Sequence, residues 1–170
     1  NLSLHIIVKL ADSVLNVVNQ SLVRSTVEAN SLKDSAEHKY AKVTVTDVIK
    51  KYNLRSLTPQ INTDEIRITR SDINRPALQL AGFWKFFGYK RPQILGRGEM
   101  VYLTQMEDHE RRDVLKKFFS YDIPCVIVSR NIPPTDEMIV MATARGIPIF
   151  STPLTTDRLE VDLLNFLNSY

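Results

Sequence analysis

Apolar residues recur at helical spacing from the start of the chain. Ile7, Leu10, Val14, Val17, Val18 and Leu22 fall on one side of an amphipathic helix predicted over residues 5–24. Residues 28–42 then mix Ser, Asp, Glu, Lys and His with few large apolar side chains, the composition of a linker. The domain proper is predicted to begin near Val43, so the chain reads as an extra helix and linker over 1–42 and a domain over 43–170. Thr46 is the expected N-cap of a short helix over 47–52 that Asn53 ends, with Asp47 in the first turn suiting the helix dipole. Glu65 to Thr69 alternates polar and apolar, the pattern of a half-buried strand. After Arg75-Pro76 the chain can enter a helix that turns Leu78, Leu80 and Ala81 inward before Gly82. A strand near Pro92–Leu95 closes on a turn at Gly96-Arg97-Gly98, and a helix over 107–120 packs Val114, Leu115 and Phe118. Cys125 to Ser129 is continuously apolar until its last residue, which predicts a strand buried on both faces. A helix with Met138, Ile139, Met141 and Ala142 follows Pro133-Pro134 and stops at Gly146. Ile147–Phe150 is the next strand, with Pro148 marking an edge or a strand start, and Thr155 or Thr156 caps a last helix carrying Leu159, Val161, Leu163, Leu164 and Leu167. Strand and helix alternating in this way predict an α/β domain with a mainly parallel sheet flanked by helices.

Composition bounds the class. With 170 residues, 44% hydrophobic and 24% charged, the chain can close one core but not two. The net charge of +3, from 22 Lys and Arg against 19 Asp and Glu, permits nucleic acid without demanding it. Cys125 is alone and lies in an apolar run, so an inert buried thiol in a reducing compartment is expected. No run approaches the roughly 18 uninterrupted apolar residues of a membrane span, and no basic leader precedes the first helix, so a soluble, cytoplasmic protein is expected. The start at Asn1 suggests a fragment.

The candidate chemistry is sparse. None of the five glycines opens a P-loop, and Gly96-Arg97-Gly98 lacks the third glycine of a dinucleotide fingerprint. His5, His38 and His109 with Cys125 have no metal-ligand spacing, so no metal is assigned. Glu107, Asp108, Glu110 and Asp113 alternate with Arg111 and Arg112, the mark of a solvated, salt-laced helix face rather than an acid/base pair. Lys85, Lys90, Arg91 and Arg97 form a basic stretch interleaved with Phe83, Trp84, Phe86, Phe87 and Tyr89. Core packing with an interface leads there, ahead of an anionic small ligand and of single-stranded nucleic acid. Asp72 and Arg75 flank a turn, where they could clamp each other or an anion, the structural salt bridge being favoured. Asp72, Arg75, Lys90, Arg91 and Arg97 are therefore the candidate anion or interface residues, with no catalytic residue and no bound cofactor assigned.

The run from Ser71 to Phe83, Ser-Asp-Ile-Asn-Arg-Pro-Ala-Leu-Gln-Leu-Ala-Gly-Phe, resembles the Asp-x-x-Arg-Pro-Gly-Leu-x-Leu-x-Gly-Tyr/Phe motif of the HPr kinase/phosphorylase amino-terminal domain. Pro92 to Gly96, then Glu99 and Tyr102-Leu103, are similar to that family's next stretch. Pro124 to Arg130 and Ile147 to Ile149 resemble its following strands, and Thr155-Thr156 its final helix start. These matches are collinear over about residues 44–170, while Ala77 stands where the family usually has Gly and residues 1–42 lie outside the pattern.

The resemblance implies a fold similar to the amino-terminal domain of Mur ligases and a regulatory or assembly role without catalysis. It implies a full-length enzyme that uses ATP or pyrophosphate with magnesium to phosphorylate a serine of HPr, and reverses the step by phosphorolysis. That enzyme would link the sugar phosphotransferase system to carbon catabolite repression. Its P-loop kinase domain would begin just after Tyr170. The implied partners are the chain's own kinase domain, HPr and further copies in a hexamer, with no membrane and no nucleic acid. The alternative is a freestanding sensor of a small anion or nucleotide on the same fold, with the first helix coupling it to a partner. A nucleic-acid-binding module is a third, weaker reading.

Overall fold

The computed structural model describes residues 2–40 and 43–169, with side-chain surroundings for 3–28 and 43–169. The chain divides into two compact units, residues 1–35 and 36–170. The first consists of helix α1 (Leu2–Tyr40) up to residue 35, and this helix runs through the segment expected as a linker. Residues 2–40 contain no Gly or Pro to stop it, and Ala, Glu and Lys propagate a helix well, so polarity alone does not end one. The last linker residues, 41 and 42, lie outside the described residues. Within α1, Ser3–Glu28 is long and apolar enough to cross a membrane by length and composition, which the search for an uninterrupted run overlooks because polar residues are interspersed.

In the second unit, α2 (Val45–Tyr52) is capped by Thr44 rather than Thr46. The Thr44 hydroxyl accepts from the Asp47 amide at 3.2 Å while the Asp47 carboxylate accepts from the Thr44 amide at 2.9 Å, so two otherwise orphan donors are satisfied reciprocally. The Thr46 hydroxyl instead meets Thr63 and Asp64. Asn53 ends the helix in the left-handed region, as expected. The chain continues through β1 (Arg55–Ser56), α3 (Ala77–Leu80), β2 (Gln93–Leu95), α4 (Arg97–Gln105), α5 (Asp108–Phe118), β3 (Val126–Val128), α6 (Asp136–Arg145), β4 (Ile149–Ser151) and α7 (Thr156–Asn168, capped by Thr155).

The four strands form one sheet in the order β1-β4-β3-β2. β2, β3 and β4 are parallel, as the alternating pattern predicts, but β1 is antiparallel to β4, so the sheet is mixed. β1 was invisible in the pattern because it is two exposed residues entered directly from the end of α2, with no crossover helix to keep it parallel. Pro148 sits just before β4, where its missing N–H costs nothing and its carbonyl accepts from Val126 at 2.9 Å. Glu65–Thr69 does not form a strand. Arg67 makes one isolated bridge to Thr44, and the apolar side chains alternate as expected, with Ile68 buried and Ile66 partly so.

The strands divide their side chains by parity between two cores. Leu95, Val126, Val128 and Ile149 face a layer built on α3–α6 with Met100, Leu103, Leu115, Phe118 and Met138. Ile94, Cys125, Ile127 and Phe150 face α2 and α7 through Val45, Val48, Leu159, Leu163 and Leu167. The parallel strands are therefore buried on both faces, which is why they read as short apolar runs. Two helix readings need correction. α3 is a single turn with Leu78 and Ala81 exposed, so only Leu80 turns inward and Gln79 is buried beside it. Gly96-Arg97-Gly98 is not a turn but the start of α4, which Gly96 caps.

Cys125 is fully buried among apolar neighbours, and burial pushes its thiol up to about 12 from 9.0. The unfolded thiol ionises from about pH 9, the folded one does not, so stability from this group is complete below that pH and is lost as the pH rises towards 12. We expect Cys125 to resist an aromatic disulfide reagent at pH 8 in the native protein and to react at one thiol per chain after denaturation.

Candidate functional site

The segment 71–76 runs alongside β2 and is fastened to it at three levels. At the amino end, Asp72 meets Arg91 at 3.4 Å. In the middle, the Asn74 backbone carbonyl accepts from the Ile94 amide at 2.9 Å, and the Asn74 side-chain amide donates to Oε1 of the Gln93 side chain at 2.7 Å. Gln93 is fully buried, and its own amide donates to the Gly88 and Arg91 carbonyls, so it spends no unpaired group in the interior. At the carboxyl end, Arg75 donates from Nε and Nη2 to the two oxygens of Glu99 at 2.7 and 2.8 Å, a bidentate fork. Its Nη1 donates to Glu160 on α7 at 2.9 Å.

Glu99 is the most constrained of these groups. Its side chain is 3% exposed against 36% for Arg75 and 27% for Glu160. It also accepts from the Gly96 amide at 3.1 Å, closing the first turn of α4. The two carboxylates raise the Arg75 guanidinium further above its already high range, the Glu99 hydrogen bond being the largest cause. Gly96 is required here by space: a Cβ would come within 2.8 Å of both Arg75 Nη2 and the Thr156 hydroxyl. Thr156 in turn shares a 2.7 Å hydrogen bond with the buried Ser129 at the end of β3. At the carboxyl ends of β2 and β3, where α/β folds commonly bind ligands, these side chains thus bond to one another.

The candidate residues therefore separate. Asp72 and Arg75 do not pair with each other: the first faces Arg91, the second Glu99 and Glu160. Arg75 has both faces of its fork committed to carboxylates, which leaves it structural. Arg91 is half-buried, and burial lowers its guanidinium pKa. Arg97 is exposed on the first turn of α4. Lys90 lies at the opposite, amino edge of the sheet, in a groove of about 350 Å³ with Arg67, Arg145, Thr69 and Asp122. Arg145 reaches the Phe119 and Ser120 carbonyls and the Asp122 carboxylate.

The aromatic stretch packs Phe87, Trp84 and Tyr89 against Phe118 and Tyr121, while Phe83 and Phe86 stay exposed. Lys117 lies over the Trp84 ring and Lys85 over Phe86. Along α5, Arg111 pairs with Asp108 and Glu137, and Arg112 with Glu137, which makes this the salt-laced face its charge pattern suggests. Glu107, His109 and Glu110 come together at its exposed start.

Sequence reasoning missed Glu99 and Glu160 as partners of Arg75. The first had a signal, since a Glu three residues after a helix cap has capping-box spacing; Glu160, 85 residues from Arg75, had none.

A family model described as the HPr serine kinase N terminus matches residues 43–167. The chain belongs to the HPr serine kinase N-terminal family. Among curated relatives, it is 40% identical over 124 residues to the HPr kinase/phosphorylase of Caldicellulosiruptor bescii, covering 73% of this chain and 40% of the relative. It is 37% identical over 120 residues to that of Lachnoclostridium phytofermentans, covering 71% of this chain and 39% of the relative. The chain thus spans about two fifths of the length of these relatives. Among solved structures, the CBS and DRTGG domains of the regulatory region of Clostridium perfringens pyrophosphatase, complexed with its activator diadenosine tetraphosphate, share the fold. The TM-score is 0.52 at 14% identity, covering 83% of this chain and 55% of that one. The motif that marks this HPr kinase N-terminal domain, Asp72 to Gly82, is the segment fastened to β2 and α4.

Removing Arg75 strips a nearly dry side chain of its bidentate partner, whereas removing the Glu99 carboxylate leaves a guanidinium that water still reaches. We expect Arg75→Ala to cost roughly 2–4 kcal/mol in denaturant unfolding, Glu99→Gln distinctly less, and the double variant to recover part of the single Arg75→Ala loss. Glu160→Ala should cost under about 1 kcal/mol.

Proposed function

We propose that this chain is the regulatory or assembly domain of a bifunctional HPr serine kinase/phosphorylase and takes no part in the phosphoryl transfer itself. The observation that carries this reading is that the family motif is used up internally. Asp72, Asn74, Arg75, Gln93 and Glu99 all bond to one another or to the backbone, so the motif builds a rigid edge rather than a reaction centre. Among the described residues the buried hydroxyls Ser129 and Thr156 face each other, and no histidine or carboxylate is paired with either as a base. In this reading a separate P-loop kinase domain uses ATP or pyrophosphate with magnesium, phosphorylates a serine of HPr and reverses that step, in the cytoplasm. The whole controls the sugar phosphotransferase system and carbon catabolite repression, with several copies assembling, a hexamer being the expected form. A Mur-ligase-like amino-terminal fold belongs to the same reading. The groove of about 400 Å³ between α3, α4 and α5, which sets Leu80, Trp84 and Met106 beside Glu110, Asp113 and Lys117, supports an assembly role as a surface a neighbouring domain could cover.

Incubation of the 170-residue chain with magnesium, ATP and purified HPr tests the catalytic half of this reading. We expect no phosphoserine on HPr by mass spectrometry, while a full-length relative in the same buffer produces it. Phosphoserine formed by this chain alone would overturn it.

One observation favours a second reading, a sensor of small phosphorylated anions. Arg67, Lys90 and Arg145 line the groove at the amino edge of the sheet with Asp122 as the acid among them, and Asp122 is already engaged by Arg145. A ligand that binds only the folded state raises the melting temperature, by about 2.7 kcal/mol of stability at a hundred times its Kd. In a titration with inorganic phosphate, sugar phosphates and nucleotides, this reading expects a rise that Lys90→Ala abolishes and Arg97→Ala, at the other edge of the sheet, leaves in place. No rise with any of them would leave assembly as the function.

A further inference from the structure

α1 carries an apolar surface that has no partner within its own unit. Ten large apolar side chains between Leu4 and Leu22 are each 47–64% exposed. At 100° per residue, every apolar residue from Leu4 to Val18 falls within an arc of about 200°. His5, Lys9, Asp12, Ser13, Asn16, Asn19 and Gln20 occupy the remaining side without exception. This sorting breaks down after Gln20, where Ser21 and Arg24 enter the apolar arc and Val23 and Val27 leave it.

The width and the charge of the two sides choose the occupant. A helix lying on a lipid surface typically has a polar side rich in Lys and Arg, which anionic headgroups attract. Here Lys9 is offset by Asp12, and Asn, Ser and Gln supply the rest. A spanning helix would carry Lys9, Asp12, Asn16 and Asn19 into hydrocarbon, where ionised and amide groups are disfavoured. Packing against further copies buries the apolar arc and leaves the polar side in water, and a 200° arc is wider than the a/d seam that two helices use. At roughly 90 Å² for each of ten side chains, about 900 Å² of apolar surface is available per helix, close to what one partner contributes to a stable interface of standard size.

We propose that α1 is a self-association element that joins three or more copies of this chain in a helical bundle through the arc centred on Val14 and Val18. α1 lies outside the residues matched to the family, so this inference stands apart from the function proposed for the domain.

The test is sedimentation equilibrium of the full chain, with Val14→Asp/Val18→Asp at the centre of the arc and Asn16→Asp on the opposite side as control. The fluorescence of Trp84, the single tryptophan, follows unfolding of the domain in each variant. We expect a mass of at least three chains for the parent and for Asn16→Asp, and a fall of threefold or more to the monomer in the double variant, with the Trp84 melt preserved. A parent mass of one or two chains, or an assembled mass that survives the double substitution, would overturn the proposal. So would a monomer that floats with phosphatidylcholine or phosphatidylserine vesicles, which would assign the arc to lipid.

Discussion

The Glu99 carboxylate is held almost out of water at the start of a helix, and the Arg75 guanidinium forks onto both of its oxygens there. An isolated buried charge is costly, and the cost is met by a bidentate guanidinium, a backbone amide at Gly96 and a second carboxylate that holds the far side of the fork. Three elements distant in sequence meet at this point: the segment before α3, the β2–α4 junction and α7. The position of segment 71–76 along β2, and with it the outer edge of the sheet, depends on that meeting.

The same arrangement occupies two helix starts at the carboxyl edge of the sheet. Parallel strands concentrate ligand sites at their carboxyl edge because helix amino termini point there. In this chain the start of α4 already holds Glu99, and the Thr156 hydroxyl at the start of α7 is bonded to Ser129. Elsewhere the described residues form a groove at the amino edge of the sheet, a second groove over α3–α5 and an exposed apolar side on α1.

The readable parts of the fold were those in which a local rule and the tertiary outcome coincide. Val126–Val128 and Ile149–Ser151 are buried on both faces, so their apolar runs could mean little else, and Gly146 and Asn53 end their helices in the left-handed region that favours them. Thr44 was passed over for Thr46 because either threonine can head the same short helix. Only the reciprocal bond to Asp47 separates them, and Asp47 stands three residues after Thr44. α1 shows the opposite failure, since a polar composition without helix breakers looks like a linker and still propagates a helix. At the candidate site, Arg75 was singled out as a charged residue at a turn, but its partners are set by chain crossings 24 and 85 residues away, which no local pattern records.

On this account the family motif is a rigid structural edge. Native-state hydrogen exchange at the Ile94 amide, which donates to the Asn74 carbonyl across that edge, tests it most directly. A fixed edge requires Ile94 to exchange as slowly as the Val126 amide between β3 and β4, both opening only with global unfolding. Exchange at Ile94 faster by orders of magnitude, with Val126 still protected, would mean that segment 71–76 detaches as a mobile loop and would contradict the claim.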